Sequence, residues 1–211
     1  MNRHFFVAGT DTGVGKTVLS ALLCAALDAF YWKPVQTGTM EGSDRVTVMR
    51  LAGMDLDRTL EEAYSFALPV SPHLAARWAS VEIELSRFRI PSHLAEERLI
   101  VEGAGGLLVP LNDKQFMLDL MIHLRLPVIL AARSGLGTIN HTLLSLAALH
   151  SVELPVHGVV LVGEPNTDNR GTIERYGHTR VIGEIPLLPY LHRTALLQVF
   201  QAHFDAEAFP R

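Results

Sequence analysis

Short apolar runs recur along the chain, each closed by a glycine-rich or polar turn, and most lead into a stretch with apolar residues at helical spacing. Phe5-Phe6-Val7-Ala8 is the first run, and Val18-Leu19-Ser20-Ala21-Leu22-Leu23 follows it as the first helix. Residues 30–35 read as a short strand. Ser43 then opens a helical pattern carrying Val46, Val48, Met49, Leu51 and Ala52. Ser71-Pro72-His73 begins another helix, with proline in its first turn. Charges alternate with leucines around Pro91 over residues 82–97, which predicts two short helices or a helix and a loop. Residues 99–102, 127–132, 156–162 and 180–185 read as buried strands. Gly135 to His141 opens a helix carrying Leu143, Leu144, Leu146 and Leu149, and residues 188–204 form an amphipathic helix. Strands alternating with helices predict an α/β fold: a mostly parallel sheet with helices on both faces and right-handed crossovers.

Composition narrows this to one domain spanning residues 1–211, since 211 residues suffice for one well-buried core and are short for two. A hydrophobic content of 48% and a formal charge of −4 argue against disorder. No dense lysine-arginine cluster marks a nucleic-acid surface, so a small substrate is expected. No apolar run approaches the ~20 residues of a membrane span, and the apolar start is interrupted too early for a signal peptide. A cytoplasmic location is therefore expected. Cys24, among Leu22, Leu23, Ala25 and Ala26, reads as a buried, inert thiol.

The candidate chemistry begins at Gly9-Thr10-Asp11-Thr12-Gly13-Val14-Gly15-Lys16-Thr17, between the first strand and the first helix. Glycines that turn N–H groups inward, a helix N-terminus and a lysine at its start make a phosphate-binding loop. Thr17 places a hydroxyl where a nucleotide's Mg²⁺ would lie. The strict spacing asks for glycine where Thr10 stands, so the loop is a variant with Gly9 one residue further out. Lys33 and Thr37 follow a strand, at the sheet edge where ligands gather in parallel sheets; Lys33 taken alone also reads as a solvated edge lysine. Asp44 is open to two readings, helix cap or metal ligand. Glu102 ends a buried strand, placed either to hold Mg²⁺ directly or through water, or to bond into its own turn. Gly105-Gly106 lets backbone approach a ligand closely. The helix start at Gly137, Thr138, Ile139 and Asn140 suits either a carboxylate or a plain cap. His73 has no zinc-type partner at helical spacing and reads as structural.

Together these stretches resemble the dethiobiotin synthetase family, almost from end to end. The resemblance rests on Gly9 to Thr17, Lys33-Pro34-Val35-Gln36-Thr37-Gly38, Ser71-Pro72-His73, Val101-Glu102-Gly103-Ala104-Gly105-Gly106 and Gly183-Glu184-Ile185-Pro186. It implies a P-loop NTPase-like fold and the reaction of 7,8-diaminopelargonic acid, CO₂ and MgATP to dethiobiotin, ADP and phosphate. The carbamate of one substrate amine would attack the γ-phosphate, and the second amine would close the ureido ring on the mixed anhydride. Lys16 and Lys33 would stabilise the charge that develops, with Thr12 and Thr37 bonding the carbamate and amines. Thr17, Asp44 and Glu102 match the magnesium site. Gly13, Val14, Gly15, Lys16, Thr17, Val18, Asp44, Glu102, Gly103, Ala104 and Gly105 match the family's nucleotide contacts, as do Ile185, Pro186 and Leu187 late in the chain. Gly137, Thr138 and Asn140 match the segment receiving the substrate carboxylate from a neighbouring subunit, so a homodimer is implied.

Two departures stand out. Where many relatives carry an adenine-reading asparagine, this chain has Val162 followed by Gly163, which predicts loose nucleotide choice with CTP or GTP partly replacing ATP. The segment between Thr39 and Ser43 is also short. ParA/MinD-type ATPases share the loop but carry a signature lysine where this chain has Asp11, and an aspartate cannot neutralise phosphate charge across a dimer. A nucleotide-binding module without chemistry is the third reading, opposed by Lys33, Thr37, Asp44 and Glu102.

Overall fold

The computed structural model describes residues 3–209. Strand β1 (His4–Gly9) is buried at five of its six positions because both of its faces are covered. Phe6 and Ala8 point to one side and Phe5 and Val7 to the other, as the two-residue period of a strand requires. The sheet around it runs β4 (Thr59–Leu60), β2 (Phe30–Trp32), β6 (Leu99–Glu102), β1, β7 (Val128–Arg133), β8 (Val156–Val162), β9 (Val181–Ile185). Every pairing in these seven strands is parallel.

Helices α1 (Lys16–Leu27), α2 (Asp44–Ala52) and α7 (Arg193–His203) cover one face. Their Leu19, Leu22, Leu51 and Leu196 meet Val7, Ile100 and Ile129. Helices α3 (Pro72–Trp78), α4 (Met117–Leu124), α5 (Thr138–Ser151) and α6 (Thr167–Gly177) cover the other, bringing Ala75, Leu120, Leu146 and Ile173 against Phe6, Val101 and Leu130. Each large aliphatic side chain so enclosed contributes about 1.5–3 kcal/mol. Among the described residues, no helix is long and apolar enough to cross a membrane.

Two expectations need correction, and that of two short helices over residues 82–97 is met only by 3₁₀ turns. The strand expected over residues 30–35 breaks after Trp32, because Pro34 has no N–H to give a ladder. Pro34 instead accepts from the Tyr64 N–H at 3.1 Å, and β3 (Val35–Gln36) pairs with β5 (Tyr64–Ser65) in a separate two-stranded sheet. Residues 82–97 form no α-helix; they make single 3₁₀ turns at Leu85–Arg87 and Ser92–Leu94, anchored by buried Ile83, Phe88 and Leu94. The last helix starts at Arg193 rather than 188, where the His192 ring accepts from the Ala195 N–H at 3.3 Å.

Candidate active site

The turn after β1 wraps its own lysine. Gly15 has φ +101°, and a Cβ there would stand 2.9 Å from Val162 Cγ1, so only glycine fits this step into α1. Lys16 folds back and donates from Nζ to the Asp11 carbonyl at 2.9 Å. Burial first, and the charge of Lys33 second, push the Lys16 pKa down to about 8, against the pull of Glu102, Asp44 and Asp11.

Behind the loop, four side chains converge from four segments: α1, the connection after β2, α2 and β6. Thr17 Oγ1, in the first turn of α1, lies 2.9 Å from Glu102 Oε1 and 3.1 Å from Asp44 Oδ1. Lys33 Nζ donates to Asp44 Oδ2 at 2.5 Å and to Glu102 Oε1 at 2.9 Å. Glu102 is wholly buried and Lys33 is 4% exposed. Burial alone would lower the Lys33 pKa, but Glu102 and Asp44 outweigh it, so the pKa is raised and the ammonium is held. Asp44 does not cap α2: its own N–H donates to Gln36 Oε1 at 3.1 Å while its carboxylate faces Lys33. Ser43 likewise makes no side-chain cap and donates to Glu62 Oε1 at 3.4 Å. Thr17, Asp44 and Glu102 are oxygen donors only, the set a hard dication such as Mg²⁺ takes, and a cationic ammonium lies between the two carboxylates. The residues present therefore fit a magnesium ion.

These groups open onto a cavity of about 380 Å³, lined by Thr12, Lys16, Thr17, Lys33, Asp44 and Glu102, with Gly13, Gly15, Val18, Gln36, Thr37, Ala104 and Gly105 completing the wall. A second cavity of about 520 Å³ adjoins it and shares Thr12, Gln36, Thr37, Asp44, Ala104 and Gly105. Its far side is formed by Glu41, Ser43, Thr47, Ser71 and Val109.

Other expected residues lie elsewhere. Val14 is buried beneath the loop in the α1-side core. Gly103 packs towards the core, where a Cβ would stand 2.9 Å from the Phe6 ring. Ile185 is buried opposite Val162 in the β8–β9 register, Pro186 follows it, and Leu187 is exposed; none of the three lines either cavity. Gly137 and Asn140 are exposed at the start of α5, while Thr138 is buried and shares a 3.3 Å hydrogen bond with Thr142. This helix start also lines neither cavity. Two residues that sequence reasoning passed over belong to the site. Gln36, 5% exposed, holds the start of α2 and lines both cavities. Tyr31, wholly buried, donates from its hydroxyl to Glu102 Oε2 at 3.0 Å. Burial, then the Glu102 charge, raise the pKa of its phenol well above the usual value.

A family profile described as an AAA domain matches residues 3–195. The ATP-dependent dethiobiotin synthetase of Brucella melitensis biotype 2 is 49% identical over 209 residues, covering 99% of this chain and 98% of the relative. This chain belongs to the dethiobiotin synthetase family. The Agrobacterium fabrum synthetase is 48% identical over the same 99% and 98%. Among solved structures, a ParA family ATPase from Chlorobium tepidum has a TM-score of 0.56 at 14% identity, covering 95% of this chain and 91% of that one. A chain of the Aquifex aeolicus MinC:MinD cell division complex has a TM-score of 0.52 at 12% identity, covering 93% and 86%. These two show a shared fold, and at that identity the likeness extends no further.

Proposed function

We propose that this chain makes dethiobiotin from 7,8-diaminopelargonic acid, CO₂ and ATP in the cytoplasm. The observation that carries the reading is the shared wall between the two cavities: Thr12, Thr37 and Asp44 border both, with Lys16 and Lys33 on the phosphate side. Such a junction suits a reaction in which one substrate attacks the terminal phosphate of another.

The nitrogen of one amine bonds to the carbon of CO₂ and loses a proton, giving a carbamate that the Thr12 and Thr37 hydroxyls orient. A carbamate oxygen then bonds to the γ-phosphorus as the bond to ADP breaks. Lys16 and Lys33 serve as fixed cations where that charge spreads. The second amine attacks the carbamoyl carbon, phosphate departs, and a proton is lost as the ureido ring closes. Thr17, Asp44 and Glu102 would hold Mg²⁺, which supplies charge neutralisation on the phosphates when bound. The backbone of Gly13 to Val18 would cradle the phosphates. Gly103, Ala104 and Gly105 are assigned to the nucleotide, with Ala104 and Gly105 in the cavity wall and Gly103 packed behind it; Ile185, Pro186 and Leu187, which lie outside both cavities, are assigned to the part of the nucleotide that extends beyond them.

The carboxylate end of the substrate is assigned to Gly137, Thr138 and Asn140 of a second copy in a homodimer. Supporting this, an apolar groove beside α5 is lined by Leu107, Leu108, His141 and Leu144, and Leu108, Leu136 and Leu144 are all exposed. Nucleotide choice is loose, because Val162 turns its side chain against Gly15 and offers no polar group to a base.

Phosphate release measured with and without the diamine and bicarbonate tests the reaction. Release that requires both is expected; release from ATP alone at the full rate overturns it. Turnover with CTP or GTP within about tenfold of that with ATP is the expected sign of loose choice, and strict use of ATP refutes it.

A further inference from the structure

The phenol of Tyr31, bonded to the carboxylate of Glu102, is a group that the proposed chemistry leaves unused. Tyr31 and Lys33 lie two residues apart, on one face of the chain leaving β2. The register sets Tyr31 opposite Ile100 and Trp32 opposite Val101, so Glu102 lies one step further along the neighbouring strand. A long phenol reaches that diagonal position, and its hydroxyl lies 3.0 Å from Glu102 Oε2. Both side chains are 0% exposed, so neither has water as an alternative partner. The two carboxylate oxygens are thereby divided: Oε2 accepts from Tyr31, whereas Oε1 accepts from Thr17 and Lys33.

We propose that Tyr31 is a positioning residue for the divalent cation: by holding Oε2 of Glu102, it fixes the carboxylate so that Oε1 alone is presented beside Thr17 and Asp44. The proposal rests on the reading of Thr17, Asp44 and Glu102 as the cation site. Without the phenol, Oε2 loses its partner and the carboxylate is held through Oε1 alone, so rotation about its terminal bond is less restrained and its orientation towards the cation is less well fixed. Partners that orient a ligand in this way typically govern metal affinity by about 10–100-fold.

The test is Mn²⁺ binding in the presence of ADP, followed by electron paramagnetic resonance, for the parent chain, Tyr31→Phe, Glu102→Gln and the double variant. Tyr31→Phe keeps the buried ring and removes only the hydroxyl. It is expected to weaken Mn²⁺ binding about 10–100-fold while ADP affinity without metal stays unchanged. Excess Mg²⁺ should restore its kcat, and the hydroxyl's loss should add nothing once Glu102 is glutamine. If Glu102→Gln loses Mn²⁺ and Tyr31→Phe does not, the positioning role is overturned and the cation site stands. If neither loses it, both fall. Should Tyr31→Phe not fold, the ultraviolet difference spectrum of the parent chain on adding Mg²⁺ with ADP decides. A perturbed tyrosine band is expected, and an unchanged one overturns the role.

Discussion

Lys33 holds together two carboxylates that would otherwise repel. With Lys33 4% exposed and Glu102 wholly enclosed, removing the ammonium leaves a buried charge unpaired, a change worth about 3–5 kcal/mol. Lys33→Met is therefore expected to melt at a lower temperature and to recover more of its stability on adding Mg²⁺ than the parent does, because the ammonium no longer competes for the carboxylates. Turnover in the same variant should fall by about 10²–10³-fold, the usual loss when one group facing developing charge is removed. Thermal melts across a Mg²⁺ series and steady-state kinetics check the two halves, and a variant indifferent to Mg²⁺ would contradict the first. Lys16, Thr17, Lys33, Asp44 and Glu102 could all be singled out from the sequence, since each stands at a strand end, a helix start or a glycine-rich turn. Tyr31 and Gln36 could not. Their roles arise from register between distant strands and from the turn at Pro34, and local spacing carries neither.

Helix α2 delivers Asp44 from its first turn, so whatever fixes its far end also fixes the carboxylate. That end is held by Arg193, the first residue of α7, whose Nε donates to the Ala52 carbonyl at 2.9 Å. The same arginine packs its stem over Gly53, where a Cβ would stand 2.8 Å from Cδ. Arg193→Ala removes both the packing and a charge-assisted bond to a helix C-terminus, a loss of about 1–2 kcal/mol. For a chain of this size that is a fall of about 2–8 °C in Tm, with a raised KM for the nucleotide; scanning calorimetry and kinetics read these. At this scale the apolar runs marked the long strands of the sheet, but the two-residue strands β4 and β5 and the helices α4 and α6 went unforeseen. Met117 to Leu124 buries Met117, Leu120 and Met121 at helical spacing, but it is only eight residues long and also carries Leu118 and Ile122 off that stripe, so the period is hard to read; its start is marked by Asp119, which accepts from the Phe116 N–H at 2.7 Å. The α6 sequence is polar and carries Gly171, so it reads as loop, although Asn166 caps it by accepting from the Asn169 N–H at 2.9 Å.

Taken whole, the molecule closes where the C-terminal segment returns to β1. His157 Nε2 lies 2.8 Å from the Ala208 carbonyl, and its ring stands against Phe5 and Phe209. Burial lowers its pKa, partly opposed by the Ala208 bond and aided by Arg180. The unfolded chain therefore binds this proton more readily, and the stability it contributes is present above the ordinary histidine pKa and lost as pH falls through the range below it. His4, also lowered by burial, adds in the same direction. Melting temperatures should decline below about pH 6.5, and His157→Asn should flatten part of that decline; an unaltered profile contradicts the assignment. Leu144→Glu, which puts a charge in the groove assigned to the proposed homodimer, is expected to shift the chain to monomer in sedimentation and to weaken use of the diamine; a variant that sediments like the parent contradicts that assignment. The two abutting cavities carry a practical consequence. One compound with a phosphonate at one end and a short diamine mimic at the other could occupy both chambers at once. Its second half would bind at the millimolar-scale local concentration that a short tether provides, which makes bisubstrate inhibitors the natural chemistry to try against this enzyme.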